Sequence, residues 1–286
     1  MKLADRAALV AGGGQGIGEG IVKCLAEEGA NIAVADINGD NAGKVADAVK
    51  AMGRKALAIK ADLTNDDEVT RTVKETVDFF GKIDILVNCV GGVSRETVEL
   101  MIADMAEARD EPLPQFLSFG SEVWDRYYRL NLKSHVMLSH AVTPHFMKQK
   151  SGKIVNISSD AGRLPDTGQM PYGAMKAGDI SITWSLARAL APYNVTVNCI
   201  CPGFVYTPLW EMGAAVRLEQ ARSTAKDIEE LSPYEFWLKY IVLPGTPLGR
   251  EQTPEDMGRA VVFFVSEDAK NVTGQVLHVN GGTVMR

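Results

Sequence analysis

The chain has no apolar run of the ~18 residues that a membrane-spanning helix needs. It also lacks a basic cluster: 30 Lys and Arg stand against 36 Asp and Glu, a net charge of −6. A nucleic-acid or other polyanion footprint is therefore excluded as a working idea. Cysteine is sparse, with Cys24, Cys89, Cys199 and Cys201 and no C-x-x-C. Cys199 and Cys201 lie two apart in the strand-like "VTVNCICPG", so they share one face and read as buried thiols rather than a metal or redox site. His135, His140 and His145 recur every five residues in a helical pattern and cannot share a face, so no metal site is expected. The N-terminal "MKLADRAALVAGGG" enters a strand-like run without a cleavable apolar segment, and a cytoplasmic protein is expected.

What is present is a rhythm. At 46% hydrophobic and 23% charged, 286 residues can build a large core. Strand-like runs occur at 7–12, 31–36, 55–62, 83–88, 152–158, 195–200 and 274–280. Helical patterns lie between them near 16–28, 40–52, 66–80, 122–149, 170–191 and 254–266. Several strands are continuously apolar, as in a parallel sheet covered on both faces. The expectation is an α/β fold, a Rossmann-like doubly wound parallel sheet of about seven strands with helices on both faces. It would form a single domain over 1–286, with an extended loop at 92–121 and a substrate-binding lid at 207–250.

The first strand runs into "LVAGGGQGIGEG". No G-x-G-x-x-G fits there, but Gly12-x-x-x-Gly16-Ile17-Gly18 does. A turn free of Cβ atoms lets backbone N–H groups at a helix N-terminus approach a pyrophosphate. The second strand ends in Asp36, whose carboxylate suits ribose hydroxyls and repels a 2′-phosphate. Ile37 follows it, and Gln15 stands where a cation would greet that phosphate, so NAD is the expected cofactor rather than NADP.

In "MPYGAMKAGDI", Tyr172 and Lys176 are one helical turn apart. With the phosphate loop and five further motifs, they make the chain resemble the short-chain dehydrogenase/reductase family, in its short single-domain branch. "ADL" supplies Asp62 and Leu63 where the family has an adenine-contacting turn. "NCVG" supplies Asn88, Val90 and Gly91 in place of Asn-Asn-Ala-Gly, and "RLNLKS" supplies Asn131. "NISSDAG" brings Ser158 and Ser159, and "CPGFVYT" brings Pro202, Gly203, Val205 and Thr207 to cap the nicotinamide. Ala11 departs from the family's threonine, so a hydroxyl contact from strand one to the strand-four turn is missing.

The resemblance implies a catalytic set of Asn131, Ser159, Tyr172 and Lys176. A free phenol ionises near pH 10, and an adjacent ammonium lowers that value, which would let Tyr172 exchange a proton with an alcohol or ketone. Family spacing favours Ser159 over Ser158 as the donor to the reacting oxygen. Lys176 would hold the nicotinamide ribose and Asn131 a water behind it. The family also implies a homotetramer, or a homodimer, with 122–149 and 170–191 at subunit contacts.

The expected function is interconversion of a secondary alcohol and a ketone. Trp210 and Trp237 in the 207–250 stretch suggest an alicyclic, aromatic or otherwise apolar substrate. The alternatives are a 3-oxoacyl-thioester reductase or 3-hydroxyacyl dehydrogenase, and a non-catalytic NAD-binding regulator. Arg95 and Arg163 are candidates to meet a substrate anion.

Overall fold

A computed structural model of the chain describes residues 1–92, 115–165, 169–224 and 230–285. Most of the expected 92–121 loop, with Arg95, lies outside the described residues.

Seven parallel strands form one sheet in the order β3-β2-β1-β4-β5-β6-β7. They are β1 (Ala7–Ala11), β2 (Asn31–Asp36), β3 (Ala56–Lys60), β4 (Ile85–Asn88), β5 (Gly152–Ile157), β6 (Val195–Pro202) and β7 (Val276–Val279). The helices are α1 (Gly16–Glu27), α2 (Gly39–Ala51), α3 (Asp66–Phe80), α4 (Ser121–Tyr128), α5 (Ser134–Gln149), α6 (Met170–Leu190), α7 (Pro208–Thr224), α8 (Pro233–Trp237) and α9 (Pro254–Val265).

Alternation along each strand builds a core on each face of the sheet. Ala8 and Val10 join Ile21, Leu25, Val45, Val49, Val261 and Val265 from α1, α2 and α9. Leu9 and Ala11 join Val69, Val73, Leu138, Phe146 and Leu190 from α3, α5 and α6. Each large apolar side chain so buried contributes about 1.5–3 kcal/mol. Local signals fix the helix ends: Asn38 and Asn65 accept backbone N–H groups at the starts of α2 and α3, and Thr253 with Asp256 forms a capping box on α9.

Strand order reverses between β1 and β4, which leaves a crevice beyond their carboxyl ends. The loops after both strands border it. One departure from expectation matters there. The helical pattern at 122–149 is not one α-helix, because a π-helical stretch, Arg129–Lys133, separates α4 from α5. Asn131 sits in that bulge, and its side chain is drawn out to hold the loop after β4. On the outer side of α5 and α6, the helices expected at subunit contacts, an apolar groove is lined by Val136, Pro144, Ile182, Leu186 and Leu190.

Candidate active site

The loop between β1 and α1 is shaped by what cannot fit in it. Gly12 has φ +79°, and a Cβ there would lie 2.9 Å from the Cys89 carbonyl and the Val90 nitrogen. A Cβ on Gly18 would fall inside contact distance of the Gly12 carbonyl oxygen. The Gln15 side chain makes no capping bond at the start of α1, so the first helical N–H groups keep their donors for another partner. Ile17 turns inward onto the core. The result is a cradle that side chains would fill, set at a helix N-terminus, and it fits a dinucleotide pyrophosphate.

Asp36 is buried at the end of β2. One carboxylate oxygen accepts from Gly14 N at 2.9 Å and the other from Asn38 N at 2.9 Å. Each oxygen keeps a further acceptor position. Ile37 is exposed, and beside it opens a shallow cleft lined by Asn38, Gly39, Asp40 and Lys60. The expected adenine turn divides in two. Asp62 accepts from Thr64 N and Oγ1 at 3.0 and 2.7 Å, whereas Leu63 is a core side chain.

The loop after β4 crosses the crevice. Asn88 spends its amide inside the protein, donating to Asn156 Oδ1 at 2.8 Å and Ser139 Oγ at 3.1 Å. Although Ala11 offers no hydroxyl, its carbonyl accepts from Cys89 N at 2.9 Å, so the backbone links strand one to this turn. Val90 offers its carbonyl to His135 Nε2 at 2.7 Å. Gly91 then passes so close to Asn131 and Lys176 that a Cβ would meet Asn131 Oδ1 at 2.9 Å and Lys176 Nζ at 3.2 Å. Asn131 clamps the next residue from both sides, accepting from Gly92 N at 2.7 Å and donating to Gly92 O at 3.0 Å.

Tyr172 and Lys176 stand one turn apart near the start of α6, with the Lys176 ammonium 5.9 Å from the Tyr172 ring centroid. Lys176 is buried and donates to Ile157 O at 2.9 Å and Asp179 Oδ2 at 3.1 Å, which leaves one N–H of the ammonium. Burial works against its charge, but Asp179 and Tyr172 outweigh burial and raise its pKa above the usual lysine value. The two serines differ in a way that bears on function. Ser158 is buried and donates its hydroxyl to Lys176 O at 2.7 Å. Ser159 is half-buried and caps the next turn by accepting from Ala161 N at 3.1 Å, so its own proton stays available. Asp160 anchors that turn to the far sheet edge through His278 Nδ1 (2.9 Å) and Asn280 Nδ2 (2.9 and 3.0 Å).

The segment after β6 closes the crevice from the other side. Pro202 ends β6, Gly203 N reaches Val279 O, Val205 is buried, and Thr207 lies over Gly16 and leads into α7. Beyond it the aromatics pack on one another. Trp237 is fully buried, with Tyr206 at 5.0 Å and Trp210 at 6.1 Å between ring centroids. These rings first form the core of the excursion at 207–250. Trp210 and Tyr206 remain partly exposed. Arg163 turns away from Tyr172 and lies over the Trp184 ring, twelve residues further along α6.

Three neighbours of this site were not singled out by sequence reasoning. Tyr127 packs against Tyr172 with ring centroids 6.3 Å apart, and burial pushes its phenol up to about 12. His135 and Asp179 form a buried pair behind Lys176. The signal for all three was spacing: Tyr127 and His135 lie one turn either side of Asn131, and Asp179 lies one turn after Lys176.

Comparison with known proteins bears out the family resemblance. Residues 6–215 match the short chain dehydrogenase family. The chain is 35% identical over its full length, and that of its relative, to a 3-oxoacyl-[acyl-carrier-protein] reductase of Staphylococcus aureus. It is 33% identical to the (2S)-[(R)-hydroxy(phenyl)methyl]succinyl-CoA dehydrogenase subunit BbsD of Thauera aromatica, over 99% of this chain and 98% of that one. Among solved structures it is similar to a 7 alpha-hydroxysteroid dehydrogenase complexed with NADH and 7-oxo glycochenodeoxycholic acid, with TM-score 0.78 and 29% identity, covering 100% of this chain and 96% of the other.

Proposed function

The chain belongs to the short chain dehydrogenase family, and from that premise we propose that it is an NAD(H)-dependent oxidoreductase interconverting a secondary alcohol and a ketone. The observation that carries this reading is the Tyr172–Lys176 pair beside the glycine cradle. The chemistry that a bound nicotinamide supplies is hydride transfer at the carbinol carbon. Tyr172 Oη takes the proton of the alcohol in oxidation and returns one to the ketone in reduction. Ser159 Oγ donates to the same oxygen, where charge develops. Lys176 uses its remaining N–H toward the ribose and its charge to favour the Tyr172 phenolate. The backbone N–H groups of the glycine loop and the start of α1 hold the pyrophosphate, and Asp36 holds the adenosine ribose.

The substrate is read as a fairly apolar alcohol, from the aromatic faces of Tyr206 and Trp210. A 3-hydroxyacyl thioester is the second reading, favoured by the names of the curated relatives. A panel of alicyclic, aromatic and steroidal alcohols and 3-hydroxyacyl thioesters, followed by NADH absorbance, separates the two. No turnover of any member would overturn both.

Cofactor choice gives a sharper expectation. A 2′-phosphate would meet the Asp36 carboxylate, although Lys60 in the adjoining cleft offsets part of that repulsion. NAD should therefore surpass NADP in kcat/KM by about tenfold or somewhat more, ~1.4 kcal/mol. Asp36→Ala should narrow the gap. Equal kcat/KM with the two cofactors in the unmodified protein would contradict the assignment.

A further inference from the structure

Behind Lys176 lies a group of side chains that the proposed reaction does not use. Asp179 accepts from Lys176 Nζ on one oxygen and faces His135 Nδ1 at 2.9 Å with the other. The opposite ring nitrogen, His135 Nε2, faces the Val90 carbonyl at 2.7 Å. Both side chains of the pair are fully buried. A carbonyl oxygen cannot donate, so Nε2 must carry a proton for Val90. Nδ1 faces a carboxylate oxygen, and a hydrogen bond there needs a proton on that line as well. A neutral imidazole and an ionised Asp179 have one proton too few for both contacts. The pair therefore holds an additional shared proton, whichever of the two atoms it sits on, and has no net charge as a unit.

The count of charge near Tyr172 depends on that proton. An ionised Asp179 alone would cancel the Lys176 ammonium, and the reason for placing a cation beside the phenol would disappear. With His135 supplying the proton, the lysine charge stands uncancelled. Among the described residues the other titratable neighbours are neutral: Tyr127 on α4, which faces Tyr172, is a phenol that burial pushes up to about 12. Cys89, from the loop after β4, is a neutral thiol that burial pushes up to about 12 against the pull of Lys176. On β6, the hydrogen bond with Cys201 and burial keep Cys199 protonated. On α6 the remaining neighbour is Tyr172 itself.

The pair is not a proton exit. Its far end is capped by Val90, and the side chain of His135 does not reach solvent. It also ties three segments together: α6 through Asp179, α5 through His135, and the loop after β4 through Val90. We propose that His135 and Asp179 are positioning residues that hold Lys176 and the Val90 loop in register and, by sharing one proton, keep the ammonium charge available to Tyr172. This rests on the reading of Tyr172 as the acid/base.

The test is a charge cycle read by pH profile. For alcohol oxidation, kcat/KM rises with pH as Tyr172 ionises, so losing net positive charge moves that limb to higher pH. His135→Phe leaves Asp179 to neutralise Lys176 and should raise the limb by about half a pH unit or more. His135→Gln, which retains a donor for Val90 but supplies no charge, should raise it similarly with less loss of melting temperature. His135→Phe combined with Asp179→Asn, which removes the uncompensated carboxylate, should bring the limb back toward its original position. An unmoved limb in both His135 variants, or a double variant displaced further than the single, would overturn the proposal.

A second readout needs no turnover. In the cofactor-free protein, imidazole NMR at neutral pH should find one proton on His135 Nε2 and another on the Nδ1–Asp179 line. A single ring proton, with none on the line to Asp179, would also overturn it. Tyr172→Phe separates this idea from its premise: a limb that persists in the residual activity of that variant refutes the role of Tyr172, whereas a limb that vanishes there but ignores His135 refutes only the pair.

Discussion

Tyr172→Phe should lower kcat by about 10²–10⁴, with NADH affinity and melting temperature close to those of the unmodified protein. The substitution keeps the ring, its packing near Met170 and Met175, and its 6.3 Å approach to Tyr127. It removes the hydroxyl proposed to exchange a proton beside Lys176. A second phenol stands nearby, so rescue by Tyr127 has to be considered. Burial pushes Tyr127 up to about 12, too high for a base near neutrality, and its hydroxyl has no hydrogen-bond partner among the described residues. Tyr127→Phe should accordingly leave kcat within a few-fold of the starting value. Stopped-flow and steady-state NADH absorbance measure both. Near-normal turnover in Tyr172→Phe would overturn the mechanism whatever the fold.

The pairing of Tyr172 with Lys176 could be read from the sequence because it is local. The phenol and the ammonium share a helix, and one turn of spacing is enough to pair them. The sheet was legible for the same reason, since continuous apolar runs bounded by glycine and polar turns have few other uses. Boundaries moved where pairing, not hydrophobicity, decides. Ile83 is buried but lies outside the β4 ladder, whereas Cys201 and Pro202 extend β6 by pairing with His278 and Val279.

What the sequence withheld were contacts between elements. His135 and Asp179 each sit one turn from a recognised residue, yet they are 44 positions apart and meet only because α5 packs beside α6. The bulge at Asn131 was equally hidden. A π-helical stretch has no composition of its own, and here it carries the side chain that bonds Gly92. Trp237 shows the limit of counting aromatics: its number suggested a pocket wall, and its burial makes it the excursion's core.

The serine pair turns that difference between composition and contact into a measurement. Ser158 and Ser159 are adjacent and chemically identical, so any difference in effect comes from what each hydroxyl already does. Ser158 has given its proton to the Lys176 carbonyl, from a buried position. Its loss should cost about 0.5–1.5 kcal/mol of stability, which for a chain of this size lowers the melting temperature by a few degrees, and should change kcat only a few-fold. Ser159 receives a hydrogen bond from Ala161 N and still has a proton to give. If that proton meets the reacting oxygen, Ser159→Ala should lower kcat by about 10²–10³, the effect of removing one donor aimed at developing negative charge. Ser159→Ala also loses a cap on the short turn at Asp160–Gly162, a penalty of ~1 kcal/mol that appears in melting and not in turnover. Ser159→Thr keeps the hydroxyl and should restore part of the rate, which a purely structural role for the serine would not predict. If Ser158→Ala proves the slower enzyme while Ser159→Ala stays active, the reacting oxygen sits against the other serine and the orientation proposed for the substrate is wrong.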